Sequence, residues 1–301
     1  MYKESISGRI FKIVNFLIMI GVFIVTVGPY LHVLAKALND GQDTLMGGLT
    51  FYPRKFTLQH FKVLLNDVSM IRAAGLSVFR VVFGTLLAIA CQFSAAYVLT
   101  KKNLVGRKFL LMFFTITMFF GGGVIPTYIV FVHLGLVNNF WVYILPLLIS
   151  HYNVVIMKSY IESSIPESLS EAALLDGANE PITLVKIIVP LSKPVIATVT
   201  LWTMVSHWND WNTTLKYITQ ENLFTLQYKL MQLIKESERL QSLIQDSRTM
   251  ADASADAIAE IKSTPESLIS AQVIVTTLPI IMVYPFIQKY FMTGITLGSV
   301  K

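Results

Sequence analysis

In this chain of 301 residues, 54% of the side chains are hydrophobic and only 14% are charged, whereas soluble domains carry about 25% charged residues. The formal net charge of +6 does not indicate a nucleic-acid partner, because the basic residues flank apolar runs and form no dense patch. The single cysteine, Cys91, excludes an internal disulfide. We therefore predict an all-α integral membrane protein.

The first apolar run, about residues 13–35, is long enough to cross a bilayer as a helix. A cleavable signal peptide is the alternative, but its apolar core would be about 7 to 15 residues long and no convincing cleavage site follows. We keep this run as the first span. The polar stretch 36–74 then predicts a loop outside the cytoplasm.

The second span covers about residues 76–99 and contains Arg80 near its outer end. The long side chain of Arg80 could reach the lipid headgroups, or it could serve as a polar contact in a translocation path. A short basic loop follows, and its cations are Lys101, Lys102, Arg107 and Lys108. Since cytoplasmic loops carry an excess of Lys and Arg, this loop should be cytoplasmic.

The third span, about 109–132, contains Gly121-Gly122-Gly123 and Pro126, which predict a break in its helix. The fourth span, about 140–160, returns after a short turn and contains His151. A lone histidine without a second ligand at metal spacing is more often a hydrogen-bonded packing residue, so we predict no metal site.

Between the fourth and fifth spans, residues 162–194 predict a helix, a sharp turn and a second short helix. Ser164 and Glu167 have the spacing of a capping box, which would start the first helix, and Gly177 suits its end. Pro190 should end the second helix, because proline lacks the N–H that continues the hydrogen-bond ladder. On the first helix, three- and four-residue spacings place Leu169, Ala172, Ala173 and Asp176 on one face.

The fifth span covers about residues 195–211 and ends in a cluster of aromatic and polar side chains. Aromatic rings offer flat faces to sugar C–H groups, while amides and hydroxyls offer hydrogen bonds to sugar hydroxyls. The candidate substrate-path residues are Trp202, Ser206, Asn209 and Asn212. The alternative is that Trp208 or Trp211 simply anchors the helix at the membrane interface.

The segment 216–270 is polar and forms an external insertion, within which apolar residues at helical spacing predict an amphipathic helix over about 226–247. This insertion could contact a solute-binding protein or form a flap on its own subunit. The last span covers about 271–291, so a count of six spans places both termini in the cytoplasm. We expect residues 1–301 to form a single transmembrane domain.

The segment 162–194 resembles the EAA loop of ABC-importer permeases, whose pattern is Glu-Ala-Ala, a glycine, then an isoleucine and a proline. The positions that match or flank this pattern are Glu171, Ala172, Ala173, Asp176, Gly177, Ile187 and Pro190. The resemblance implies a type I importer fold with six transmembrane helices, in which cytoplasmic coupling helices bind an ATPase subunit.

Residues 122–128, 134–139 and Trp141, together with the Trp-Asn-rich end of the fifth span, resemble carbohydrate-importer permeases of the maltose type. The length of 216–270 resembles a subgroup that imports complex oligosaccharides. The resemblance implies a bacterial plasma-membrane complex containing a second permease, two ATPase subunits, an extracytoplasmic solute-binding protein and an oligosaccharide.

Two other functions are weighed against this one. An intramembrane enzyme built on His151, His207 and Asp210 would require these groups to converge, and no catalytic motif surrounds them. A secondary sugar carrier would require buried carboxylates, of which the spans contain almost none. The chain also lacks a phosphate-binding glycine-rich loop, so we expect ATP and Mg²⁺ on a separate ATPase subunit and no cofactor here.

Overall fold

The computed structural model describes residues 6–248 and 264–297, and these residues are almost entirely helical. The α-helices are α1 (Ile6–Ala37), α2 (Gly41–Leu45), α3 (Gln59–Asn66), α4 (Val68–Thr100), α5 (Arg107–Phe119), α6 (Val124–His133), α7 (His151–Ser164), α8 (Glu167–Leu175), α9 (Glu180–Thr183), α10 (Val189–Leu191), α11 (Lys193–Asn209), α12 (Asn212–Tyr217), α13 (Leu226–Arg248) and α14 (Pro265–Leu297). Short 3₁₀ turns cover Phe140–Tyr143, Leu145–Leu147 and Glu221–Leu223, and a π-helical turn covers Leu184–Ile188.

Three helical segments in the described residues are long and apolar enough to cross a membrane: Ser7–Ala37, Val68–Thr100 and Pro265–Pro285. Two further segments qualify only as bent pairs of helices, with bends of 43° and 83°. Length and composition therefore support three to five spans. The count of six stays a prediction, because its third member is divided into two short helices.

The predicted break in the third span is confirmed. The helix α5 ends at Phe119 and α6 begins at Val124, with Gly123 between them at a φ of +80° that favours glycine. The fourth span is interrupted as well, because two 3₁₀ turns precede α7. Pro146 lies in the second of these turns, and the side chain of Ser150 caps the first turn of α7, so the helix restarts there.

The chain divides into two compact units. The first comprises Met1–Met70 and Leu230–Leu278, and the second comprises Ile71–Lys229 and Pro279–Lys301. In the first unit, the end of α1 packs against the start of α14. Lys36 Nζ lies 2.5 Å from Glu266 Oε1, and the hydroxyl groups of Tyr30 and Thr277 are 3.1 Å apart. The large apolar side chains from Ile10 to Val25 are exposed, as expected for a helix that faces lipid or a partner subunit.

The second unit contains two separate apolar cores. One core packs α4, α7 and α11 together and includes Ala96, Met157 and Val199, all of them fully buried. The other surrounds Tyr143 and joins the turn after α6 to α12. The segment 162–194, which resembles the EAA loop, and the candidate translocation path both belong to this unit, and these cores position them.

Candidate functional site

The first helix of the EAA loop, α8, begins differently from the expectation. The predicted capping box is wrong, because α7 extends to Ser164 and leaves Pro166 as the residue that precedes the first turn of α8. No side chain caps this turn. Glu167 instead lies 2.8 Å from Lys102 Nζ, and this contact lowers the pKa of the glutamate.

The end of α8 confirms the role predicted for Gly177. Gly177 has a φ of +82°, its N–H donates to Leu174 O at 3.0 Å, and the N–H of Ala178 donates to Ala173 O at 2.9 Å. This pair of bonds is a Schellman motif, which satisfies the last carbonyls of a helix and requires a left-handed residue. The chain therefore turns sharply after α8.

The two alanines of the EAA pattern differ in burial. Ala173 is buried within the chain, whereas Ala172 and Glu171 are exposed. Asp176 is also exposed. Beside these residues Leu175 is 89% exposed, and the sequence interpretation missed this exposed apolar side chain although an adjacent pair of leucines follows the alanines.

The second half of the loop begins as predicted and ends later than predicted. Asn179 Oδ1 accepts from Ile182 N–H at 3.0 Å and caps α9. The helical path then passes through the π turn and continues to Leu191, so Pro190 does not end it. A π turn makes room for the proline ring, which would otherwise clash with a carbonyl of the preceding turn. Ile187 packs against the core around α4.

The basic loop does more than mark topology, because its cations bind carboxylates in and beside the EAA loop. Lys101 Nζ lies 2.9 Å from Glu180 Oε2, and Tyr97 Oη donates to the same oxygen at 2.5 Å. These hydrogen bonds, first from Tyr97 and then from Lys101, lower the pKa of Glu180. Arg107 similarly lies 3.1 Å from Glu162. Charge counting alone could not identify these pairs.

Three of the four candidate path residues share one exposed face of α11. Trp202, Ser206 and Asn209 follow one another at helical spacing, and Asn212 is exposed at the start of α12. The ring of Trp202 stacks near Tyr152, with the ring centroids 6.4 Å apart. The arrangement can offer an aromatic face and amide and hydroxyl groups to a sugar.

The neighbouring tryptophans do not lie on that face. Trp208 is buried, so it is not an exposed interfacial anchor, and Trp211 is half-buried. Trp208 lines an apolar cavity of about 200 Å³ whose walls come from α4, α11 and α14. Because its lining is apolar, this cavity is unsuited to sugar hydroxyls.

Arg80 does not extend toward the headgroups, and the snorkelling expectation is wrong. Its side chain is fully buried and pairs with the carboxylate of Asp210, while Nη1 donates to Asp210 O at 3.0 Å. The guanidinium also lies 4.4 Å from the ring centroid of Tyr143. The structure pairs α4 with the end of α11 through residues 130 positions apart, which no local pattern could reveal.

The residues of the enzyme alternative are not arranged as a catalytic group. His151 lies 3.2 Å from Thr115 Oγ1 and stacks on Phe114, whereas His207 is buried against Gly84. The carboxylate of Asp210 is engaged by Arg80. Among residues 6–248 and 264–297, no group of three or more histidine, cysteine or acidic side chains could hold a metal ion.

The helix predicted over about 226–247 is confirmed as α13, Leu226–Arg248. Near its start, Gln227 Nε2 donates to Asn209 Oδ1 at 3.4 Å, so α13 begins beside a candidate path residue. Residues 249–263 of the segment 216–270 lie outside the described residues, as do residues 298–301.

Comparison with known proteins supports the same interpretation. A family model described as "Binding-protein-dependent transport system inner membrane component" matches residues 81–296. The protein LplC of Bacillus subtilis (strain 168) is 36% identical, with 98% of this chain and 96% of LplC covered. The polygalacturonan/rhamnogalacturonan transport system permease protein YtcP of the same organism is 32% identical, with 98% of this chain and 99% of YtcP covered.

A solved structure has the same fold. It belongs to a bacterial ABC transporter involved in the import of the acidic polysaccharide alginate, with a TM-score of 0.83, 27% identity and coverage of 97% of this chain and 100% of that chain. Together with the apolar spans and the EAA loop geometry, these findings show an integral membrane transport subunit. The chain belongs to the family of binding-protein-dependent transport system inner membrane components.

Proposed function

We propose that this chain is the permease subunit of an ABC importer that takes up an oligosaccharide, contributing half of the translocation pathway. The observation that carries the proposal is the geometry of α8, which presents Glu171, Ala172 and Leu175 to solvent and ends in the Gly177 turn. An exposed helix with a carboxylate, a small residue and a leucine fits a cleft on a partner, and the partner we propose is an ATPase subunit.

The complete transporter then contains a second, different permease, two ATPase subunits that bind ATP and Mg²⁺, and an extracytoplasmic solute-binding protein. Each permease chain has one coupling loop and so offers one docking site for an ATPase subunit. Two ATPase subunits therefore need two permease chains, which supports this composition. Both termini lie in the cytoplasm of a bacterial cell if the basic loop at residues 101–108 is cytoplasmic and six spans are present. Glu171 pairs with a basic ATPase residue, and Ala172 and Gly177 permit close packing.

The substrate class rests on the relatives and on the α11 face. YtcP is named for transport of polygalacturonan and rhamnogalacturonan, and the solved transporter is described as importing alginate. The exposed Trp202, Ser206 and Asn209 supply the ring and hydrogen-bonding groups that sugars require. We infer that the cargo is an oligosaccharide containing uronic acid.

The assembly is tested by gentle detergent purification of a tagged chain from its native membrane, with mass-spectrometric stoichiometry of the proteins that accompany it. We expect a second permease and an ATPase, and loss of most of the ATPase in Glu171→Lys, because the reversed charge opposes a basic partner. The matched control is Glu221→Lys in the 3₁₀ turn Glu221–Leu223, which should retain the ATPase. A homodimer or single chain that transports sugar without an ATPase would indicate a secondary carrier instead.

A further inference from the structure

Helix α4 is one uninterrupted element with two charged contacts, one at its C-terminal end and one within its first half. It runs for 33 residues from Val68 to Thr100 without a proline. Near its cytoplasmic end, Tyr97 and the adjacent Lys101 both bind Glu180. Seventeen residues earlier, Arg80 binds Asp210. At about 1.5 Å per residue, the two contacts are about 25 Å apart along the helix axis.

The cytoplasmic contact holds the coupling loop itself. Glu180 is the first residue of α9 and follows the Gly177 turn that closes α8, so it moves with the coupling helices. Lys101 Nζ also lies 4.7 Å from the ring centroid of Tyr97, which places both donors on one side of the carboxylate. A displacement of α9 therefore acts directly on the end of α4.

The other contact, between Arg80 and Asp210, lies at the end of the candidate path. Asp210 follows the last residue of α11, and its second carboxylate oxygen accepts from Thr213 N–H at 3.0 Å at the start of α12. Arg80 donates both to the carboxylate and to the backbone oxygen of Asp210, so the contact fixes the backbone beside Asn209. A displacement of α4 therefore reaches the face that carries Ser206 and Asn209.

Between these contacts α4 has little freedom to bend. Gly84 lies so close to α11 that a Cβ there would be 2.9 Å from His207, and Ala96 is fully buried in the core with α7 and α11. The third span lacks this continuity, since it is divided at Gly123. Packed helices transmit displacements because interiors are dense and incompressible.

We propose that α4 carries the displacement of the coupling loop to the outer end of the sugar path, with Tyr97, Lys101 and Arg80 as its positioning residues. The inference rests on the proposed function, because an ATPase must move the coupling loop. In each transport cycle, the Tyr97–Lys101–Glu180 contact moves the cytoplasmic end of α4, and the Arg80–Asp210 contact moves the residues that line the path.

The test uses the whole transporter in lipid nanodiscs with a single reporter cysteine. Cys91 is the only cysteine of this chain, so Cys91→Ser combined with Asn209→Cys gives a parent in which this chain has one thiol, at the path, and labelling is read on this chain after its separation from the other subunits. The rate of labelling by a membrane-impermeant maleimide is measured without nucleotide and after trapping with Mg-ATP and vanadate. No sugar is needed, because nucleotide alone moves the ATPase subunits.

The coupling variants are Lys101→Gln and Tyr97→Phe, and the matched control is Lys102→Gln. Lys102 is the neighbouring lysine, and it pairs with Glu167 at the surface, where both side chains are mostly exposed. We expect the nucleotide-dependent ratio of labelling rates to fall about three-fold or more in the coupling variants and to be unchanged in Lys102→Gln. ATPase stoichiometry should stay that of the parent in all three.

A purely structural role would lower ATPase retention or thermal stability and leave the labelling ratio intact. Should Lys101→Gln lose its ATPase, Tyr97→Phe decides the question, since it removes one hydroxyl only. Coupling variants that keep the parent's ratio would overturn the inference while the proposed function stands. A parent that shows no nucleotide dependence would overturn the proposed function, and the inference with it.

Discussion

Gly84 on α4 lies directly against the imidazole of His207 on α11. A Cβ at Gly84 would be 2.9 Å from both Cε1 and Nε2 of His207 and 3.0 Å from Ile144 Cδ1. His207 is buried, and neither ring nitrogen has a hydrogen-bond partner in the part of the chain that the structure describes. Within the described residues, packing contacts therefore hold the imidazole in position, and hydrogen bonds do not.

Gly84→Ala should destabilise the chain despite the better helix propensity of alanine. The added methyl group must displace His207 or Ile144, and overpacking of this kind costs about 1 to 3 kcal/mol. Gly75→Ala on the same helix meets nothing within 4 Å and should be neutral or stabilising by up to about 1 kcal/mol. Thermal unfolding in detergent, followed by circular dichroism, compares the two. Equal midpoints would show that the α4–α11 contact is loose.

Asp210→Asn should be among the most damaging single changes in the second unit. It leaves the fully buried guanidinium of Arg80 without its counter-charge, and breaking a buried pair costs about 3 to 5 kcal/mol. The double variant Arg80→Met with Asp210→Asn should be more stable than Asp210→Asn alone, because no unpaired charge remains buried. A double variant as unstable as the sum of both single variants would contradict the pairing. Denaturant or thermal unfolding of all four proteins provides the cycle.

Asn138 should tolerate glycine better than alanine. Its φ is +57°, and its Oδ1 accepts hydrogen bonds from the backbone N–H and hydroxyl of Thr219 at 2.6 and 3.0 Å. Asn138→Gly loses those bonds, but glycine adopts the left-handed backbone without strain. Asn138→Ala loses the same bonds and also strains the backbone, so it should be about 1 kcal/mol less stable than the glycine variant. Unfolding midpoints measure the order. An alanine variant as stable as the glycine variant would show that the backbone conformation is not retained.

The loop between the first two spans should depend on Arg54 and not on its neighbour Lys55. Arg54 Nε donates to Asp43 Oδ2 at 2.9 Å, and its Nη2 donates to the carbonyl oxygens of Asp43 and Gly47, both at 2.8 Å. Arg54→Met should therefore increase chymotrypsin cleavage after Phe51, which is 55% exposed, while Lys55→Met should not. Equal cleavage in the two variants would contradict a role for the Arg54 bonds in ordering this loop.

The same loop should loosen in acid. Hydrogen bonds from Asn39 and then Arg54 hold the pKa of Asp43 below its ordinary value of 3.8. The contribution of the carboxylate to loop stability is therefore fully present above that ordinary value and is lost as the pH falls through the lowered pKa. Asp43→Asn should remove this acid dependence. The measurement is amide hydrogen exchange of the loop at several pH values, with each rate divided by the intrinsic exchange rate at that pH. An unchanged acid dependence in Asp43→Asn would assign it to another group.

The local features of the EAA loop and of the apolar segments could be predicted from the sequence, because a few adjacent residues determine each one. Gly177 ends α8 since a left-handed turn favours glycine, Asn179 caps α9 since its short side chain reaches the next N–H groups, and the glycine run before Val124 breaks the third span. The amphipathic spacing likewise determined α13. The lengths of the apolar runs identified the chain as an integral membrane protein.

Only the tertiary structure decided which of these elements contact one another. Arg80 and Asp210, and Lys101 and Glu180, are far apart in sequence, and their pairing depends on how α4 packs against α11 and α9. The burial of Ala173 follows from the same packing. Helical periodicity ranks the faces of a helix by polarity, but small residues such as alanine suit a buried or an exposed position, so the neighbouring elements decide which face is covered.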